Sequence, residues 1–247
     1  MARFLVLRLE APLVAFGDIA VDAIGPVSDL PSASMITGLL ANALGWRRED
    51  RAALQRLQDR LVHAARLDRV AGRFTEFQTA ELAKSDQGWT TRGRPEGRAG
   101  GAGSYDGPHI RYRDHDADFS AVVVMTLEPA AEAPDLDALA AALDQPFRPL
   151  FIGRKPCLPT GPISGGFVEA NDLLTALQRV PLAPPRRRTA ERDVLVELPI
   201  DLDPPEGFRR LHRCDRRDWL AGVHAGDTLR WSGRLPASAF GEKDSGS

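Results

Sequence analysis

The run FSAVVVMTL at Phe119–Leu127 is the feature that most narrows what this chain can become. It is short, rich in β-branched residues and free of charge, so it reads as a central β-strand. Arg3–Leu9 reads as a second strand, apolar enough to be covered on both faces. A sheet of that kind needs apolar layers to cover it, and helical patterns supply them. Ser32 or Ser34 is placed to cap a helix carrying Ile36, Leu39, Leu40, Ala43 and Leu44 on one face, with Gly45 ending it. A second helix is expected from near Asp50, with Leu54, Leu57 and Leu61 as its stripe. Asp135 caps a short helix bearing Leu136, Leu139, Ala140 and Leu143, and another spans Asn171 to Gln178.

Residues from Phe74 towards Lys84 alternate like a strand, and Val194–Leu198 reads as one more. Phe208–Trp231 is a basic stretch that holds one or two others. The order predicts an α+β fold, ferredoxin-like, over residues 1–180. Residues 181–192, PLAPPRRRTAER, read as a linker, 193–240 as a small β-rich region, and 241–247 as a loose polar tail. Arg186–Arg188 in that linker read as a solvated run.

The 247 residues suffice for a real core, and 43% hydrophobic with 27% charged residues is ordinary for a globular chain. A net charge of −2 does not advertise a polyanion partner, so any nucleic-acid role rests on where the cations sit. Arg8 and Glu10 interrupt the N-terminal apolar run, and no stretch approaches the roughly 20 apolar residues of a membrane span. With only Cys157 and Cys214, the expectation is a cytoplasmic protein without a structural disulfide and without membrane contact.

Two segments stand out for chemistry. Gly88–Arg113 is glycine- and arginine-rich and poor in aliphatics, so it cannot build a core. Between Lys84 and Arg113 six basic residues (Lys84, Arg92, Arg94, Arg98, Arg111, Arg113) outnumber three acids. Trp89, Tyr105 and Tyr112 add rings on which bases can stack. The second segment is LFIGRKPCLPTGPI, Leu150–Ile163. In Gly153-Arg154-Lys155-Pro156 the glycine lets backbone amides approach a phosphate and the two cations neutralise it. A plain surface turn is the alternative. The helix starting at Ser34 offers unpaired N–H groups as a further anion site.

No metal centre is expected. Of the five histidines (His63, His109, His115, His212, His224) only His212 lies close to a cysteine, Cys214, and no second pair completes a tetrahedral site. G-x-S-x-G, P-loop and dinucleotide fingerprints are absent. The enzymatic alternative is a metal-independent ribonuclease, for which Tyr105, His109, Tyr112 and His115 among arginines have the right chemistry. The same residues on a basic hairpin also serve simply to stack on RNA.

LRLEAPLVAFGD, PSASMITGLLANALGW, RGRPEGRAGG, IRYRDHDADFSAVVVM and PLFIGRKPCLPTGPI occur in that order. This set resembles the fifth Cas protein family in its subtype I-E, CasD-type form, over most of residues 1–174. The resemblance implies a RAMP-superfamily ferredoxin-like (RRM-like) domain with a protruding β-hairpin thumb, here about residues 83–113. It implies a non-catalytic Cascade subunit that needs no cofactor. Such a subunit holds the 5′ handle of the CRISPR RNA, contacts a backbone subunit and the large subunit, and meets target DNA only through the complex. A related branch, subtype I-C, cleaves RNA. Carried over, the handle-binding loop is Gly153, Arg154 and Lys155, with Pro156 and Cys157 holding its shape and Cys157 acting as a packing residue. Ser32 and Ser34 lie near the RNA, and the thumb contributes Trp89, Arg92, Arg94, Arg98, Arg111 and Arg113. Ala33 stands where many relatives carry Lys or Arg.

Overall fold

A computed structural model describes residues 1–81, 108–184 and 193–241. Its elements run β1 (Ala2–Val14), β2 (Ile24–Gly25), α1 (Ala33–Ala43), α2 (Arg51–Arg60), β3 (Leu61–Arg69), β4 (Gly72–Ala80) and β5 (His109–Leu127). They continue as α3 (Leu136–Asp144), β6 (Ser164–Ala170), α4 (Leu173–Arg179), β7 (Val194–Pro199), β8 (Arg209–Arg213), β9 (Arg217–Asp218), β10 (Val223–His224) and β11 (Thr228–Leu235). The fold is mixed, with four helices on one large, mainly antiparallel sheet in the order β6-β1-β5-β3-β7-β11-β8.

The Phe119–Leu127 run forms the inner half of β5 and lies between β1 and β3, with Leu5 opposite Met125 and Ala65 opposite Val123. Alternate residues feed two separate cores, as the period of a strand requires. Leu5, Leu7, Leu9, Phe119, Val123 and Met125 face α1, α2 and α3, where Ile36, Leu40, Leu57 and Leu139 meet them. Phe4, Val6, Val122 and Val124 face the other way, onto Leu173, Ala176 and Leu177 of α4 and Val196 and Leu198 of β7. The β-rich C-terminal stretch adds three of its strands to this same sheet: β7 pairs with β3 at Ala65–Leu67, and β11 joins β7 to β8.

The helix starts follow from side chains that accept otherwise orphaned N–H groups. Ser32 Oγ accepts from Met35 N, Asp135 from Ala138 N and Asp172 from Thr175 N. One expectation is corrected. Leu61 does not continue the second helix; it opens β3, because the chain turns extended at that residue and enters the sheet.

The outer half of β5 extends past β1 and β3 within the same sheet. There it pairs with β4 on one side, Gly72–Ala80 against Ala117–His109, and with the two residues of β2 on the other. Residues 109–113 are therefore strand; residues 83–107 of the stretch assigned above to the thumb lie outside the described residues.

Candidate functional site

The loop after α3 is built around Gly153. Its φ is +88°, and a Cβ there would stand 2.0 Å from the Ala15 carbonyl oxygen, so only glycine fits. The loop closes on itself: Ile152 N–H donates to Cys157 O (2.8 Å) and Cys157 N–H to Arg154 O (2.8 Å). Cys157 is buried with Ala15 and Val27, and burial pushes its thiol pKa up. It is a packing residue in a small apolar cluster. Pro156 and Lys155 are exposed at the loop's tip.

Arg154 turns back onto the sheet. Its Nη1 donates to Asp114 O (3.2 Å) and its Nη2 to Gly25 O (3.5 Å). Arg113 arrives at the same place from β5. A Cβ added to Gly25 would lie 2.8 Å from Arg113 Nη1 and 3.4 Å from Arg154 Nη2. Neither guanidinium forms a salt bridge with a described carboxylate. Burial, and then the charge of Arg113, lower the Arg154 pKa from its ordinary value, and the carboxylates of Glu76 and Asp114 offset them only in part. Two like charges held this close are costly unless an anion joins them.

On the other side of the Gly153 backbone lies a cleft of about 710 Å³. Phe151 and Gly153, the α1 residues Ser34 and Gly38, and Arg217 and Trp219 from the C-terminal stretch are among those lining it. Ser32 Oγ and Ser34 Oγ lie 3.1 Å apart, and Ser34 N–H is already used by Asp215 O (3.0 Å). Ala33, between them, is buried. Among the described residues the arginine in the cleft wall is Arg217, supplied by the C-terminal hairpin β9–β10.

The structure thus brings Gly153, Arg154 and Arg113 together, puts Ser32, Ser34 and Gly153 on a shared cleft, and leaves Lys155 exposed at the loop's tip. Arg111 is exposed further along β5, its Nη1 on Ile110 O (2.7 Å). Trp89, Arg92, Arg94 and Arg98 lie outside the described residues. Of the groups considered for ribonuclease chemistry, His115 is buried, stacked on Phe74 at 5.3 Å, with Nδ1 3.2 Å from Arg113 O. Arg217, Trp219 and His224 were not marked by the sequence; the only signal was a tryptophan amid the arginines of RRDW.

The sequence model of the CRISPR-associated protein (Cas_Cas5) family matches residues 4–226. The chain is 28% identical over 177 residues to the CRISPR system Cascade subunit CasD of Escherichia coli (strain K12), covering 72% of this chain and 76% of that protein. A chain of a CRISPR RNA-guided surveillance complex shares its fold with a TM-score of 0.65 at 22% identity, over 96% of this chain and 92% of that one. A Cas protein known from its crystal structure gives 0.58 at 24% identity, over 97% and 98%. With the family's pattern running from the first strand to the C-terminal hairpin, the chain belongs to the CRISPR-associated Cas_Cas5 family.

Proposed function

We propose that this protein is the non-catalytic subunit of a Cascade-type surveillance complex that grips the 5′ handle of the CRISPR RNA. The observation that carries the reading is the convergence of Arg113 and Arg154 on Gly25, with neither guanidinium in a salt bridge to a described carboxylate. A phosphate bridging the two guanidinium groups relieves their repulsion and takes charge-assisted hydrogen bonds from both. Lys155, exposed beside them, adds a third cation to a backbone running over the loop.

The architecture supports the same assignment. We read the order β6-β1-β5-β3, with α1–α2 and α3 as crossovers, as consistent with a ferredoxin-like RAMP domain. The β4–β5 ribbon is the base from which a thumb would project. The curated relative is a Cascade subunit by name, and a backbone subunit and the large subunit are the partners this role requires. Target DNA is met only through the guide.

The test is RNA binding by the purified chain across a salt series. Arg154→Ala with Lys155→Ala is expected to weaken binding of handle RNA and to flatten the salt dependence by one to two phosphate contacts, each contributing a slope of about 0.7. An unaltered slope would remove the loop from the interface. Incubating the protein with precursor repeat RNA in EDTA tests the non-catalytic half of the proposal; clean cleavage within the repeat would overturn it.

A further inference from the structure

The cleft behind Gly153 is walled on one side by an element that the RNA-grip reading does not use. The hairpin β9–β10 stands out from the main sheet as a two-stranded unit, with Asp218 opposite Val223 and Arg217 opposite His224. Its turn is closed by Gly222 N–H on Asp218 O (2.8 Å) and Ala221 N–H on Asp218 Oδ1 (2.8 Å). It is clamped to the outside of α2. Gln58, itself buried, accepts from Arg217 N–H (3.1 Å) and donates to Arg217 O (2.9 Å). Arg216 pairs with Asp59.

Trp219 sits at the tip of this clamp. Its indole N–H donates to Gln58 Oε1 (3.1 Å) and its backbone N–H to Gln55 Oε1 (2.9 Å). The Arg217 guanidinium lies 5.3 Å from its ring centroid. Its far edge reaches α1, where a Cβ on Gly38 would meet Cη2 at 3.9 Å. Trp46 and Trp231 pack against the two hydrophobic cores; Trp219 packs against neither. A half-exposed indole fixed by hydrogen bonds outside any core is a platform, because its ring is immobilised without being consumed by packing.

The same cleft is lined by groups with spare hydrogen-bonding capacity. Ser32 and Ser34 share one hydroxyl hydrogen between them, and Ser32 Oγ also accepts from Met35 N–H. Whichever serine donates, the other's O–H stays free to turn into the cleft. His224 receives Arg217 Nη1–H at Nε2 (3.4 Å), so its Nδ1–H is left as an outward donor. Burial and then the Arg217 charge lower its pKa, keeping the ring neutral. A flat π-surface faced by donors and acceptors that can act either way is the chemistry of an unpaired nucleobase.

We propose that the β9–β10 hairpin makes this cleft a base pocket, in which one unstacked RNA base lies against Trp219 and is read by the Ser32–Ser34 pair and His224. The proposal rests on the RNA-grip reading and adds to it a source of base preference, where Arg113 and Arg154 contact only the backbone. It assigns Trp219 and His224 as specificity-determining residues.

The experiment uses the full chain with short oligouridylate and oligoadenylate probes, the former carrying 4-thiouridine. Long-wavelength irradiation is expected to cross-link the uridine probe to the tryptic peptide 218–230, DWLAGVHAGDTLR, which holds both Trp219 and His224. Trp219→Ala is expected to weaken binding roughly tenfold or more, the equivalent of one lost base stack. It should also change the ratio of affinities for the two probes, while Trp219→Phe, which keeps a ring, retains most of the affinity. Arg154→Ala with Lys155→Ala should instead weaken both probes equally. If wild-type protein binds the probes but cross-links only elsewhere, the base pocket is wrong and the backbone grip stands; this holds even if Trp219→Ala fails to fold. Unchanged affinity and ratio in a folded Trp219→Ala variant overturns the pocket as well. If wild-type protein binds neither probe, the RNA-grip reading falls and the pocket falls with it.

Discussion

Gly153→Ala is the sharpest single-residue test of the loop, because two independent costs fall on one methyl group. The left-handed φ of +88° disfavours any Cβ, by about 1–2 kcal/mol, and the Ala15 carbonyl occupies the space the Cβ needs. The loop must therefore move, and Arg154 moves with it. The variant is expected to melt at a temperature lower by at least about 2–4 °C per kcal/mol lost for a chain of this size, and to lose RNA affinity beyond that of Arg154→Ala alone. A wild-type melting curve would mean the loop relaxes freely. His63 makes a second prediction, of pH dependence. It is fully buried on β3; burial first, then Arg230 and Arg213, hold its pKa well below the ordinary histidine value of 6.5. The unfolded chain takes up a proton there below about pH 6.5, while the folded chain does not. The stabilisation is thus present above the unfolded pKa and is lost as pH falls towards the folded one, at up to 1.36 kcal/mol per pH unit. Denaturant unfolding at pH 7 and pH 5 should show about 1–2 kcal/mol more loss in the wild type than in His63→Gln; equal losses would mean that His63 titrates normally.

Between elements, β3 and α4 are joined by a buried guanidinium. Arg66 and Asp68 are both fully buried and lie 2.7 Å apart. Arg66 also donates to the carbonyls of Leu177, Val180 and Pro181, where α4 ends, and Asp68 accepts from Ala183 N–H (2.9 Å). The guanidinium thus satisfies carbonyls that a helix end leaves orphaned. Arg66→Met removes those donors and strands a buried carboxylate, so it should cost about 3–5 kcal/mol in denaturant unfolding; a loss under one would show that water replaces the arginine. The same residue explains where the sequence was hard to read. α1 and α3 were legible because each begins with a side chain that announces it, Ser32 or Ser34 for the one and Asp135 for the other. β1 and the inner half of β5 were legible from apolar density. β3 was not: LVHAARLDR carries His63, Arg66 and Arg69 to the inside, so its pattern is broken by charges whose partners lie far along the chain. β6, SGGFVEA, hides behind two glycines. The candidate site divides the same way. Gly153, Arg154 and Lys155 are contiguous and stand out in the sequence, whereas the meeting of Arg113 with Arg154, and of Trp219 with Gly38, is made only by the fold.

At the scale of the whole molecule the sheet has two unequal parts. Its centre is covered on both faces by separate cores. The β4–β5 ribbon is much barer: every residue of β4 except Glu76 is exposed, although His115 and Asp116 at the ribbon's base are buried. One face of the ribbon carries a row of apolar side chains across three strands. Phe77 is opposite Tyr112, and Ile24 is beside it, with exposures of 57%, 42% and 55%. A two-stranded ribbon of this kind is marginal in water by itself, and an exposed apolar row marks a surface that association covers. If the chain works as one subunit of an assembly on RNA, the ribbon is stabilised there and not in the free protein. Hydrogen exchange of the isolated chain should therefore show amides of residues 72–80 exchanging well before those of β1 and of Phe119–Leu127, since local opening exposes only what is weakly packed. In the assembled complex those same amides should slow to the pace of the central strands. Phe77→Ser with Tyr112→Ser, both at exposed positions, should leave the isolated chain within about 0.5 kcal/mol of wild-type stability while lowering its incorporation into the complex. Ribbon amides already protected in the free chain would mean that the ribbon is self-supporting, and normal incorporation of the double variant would mean that its apolar row is not what the partners cover.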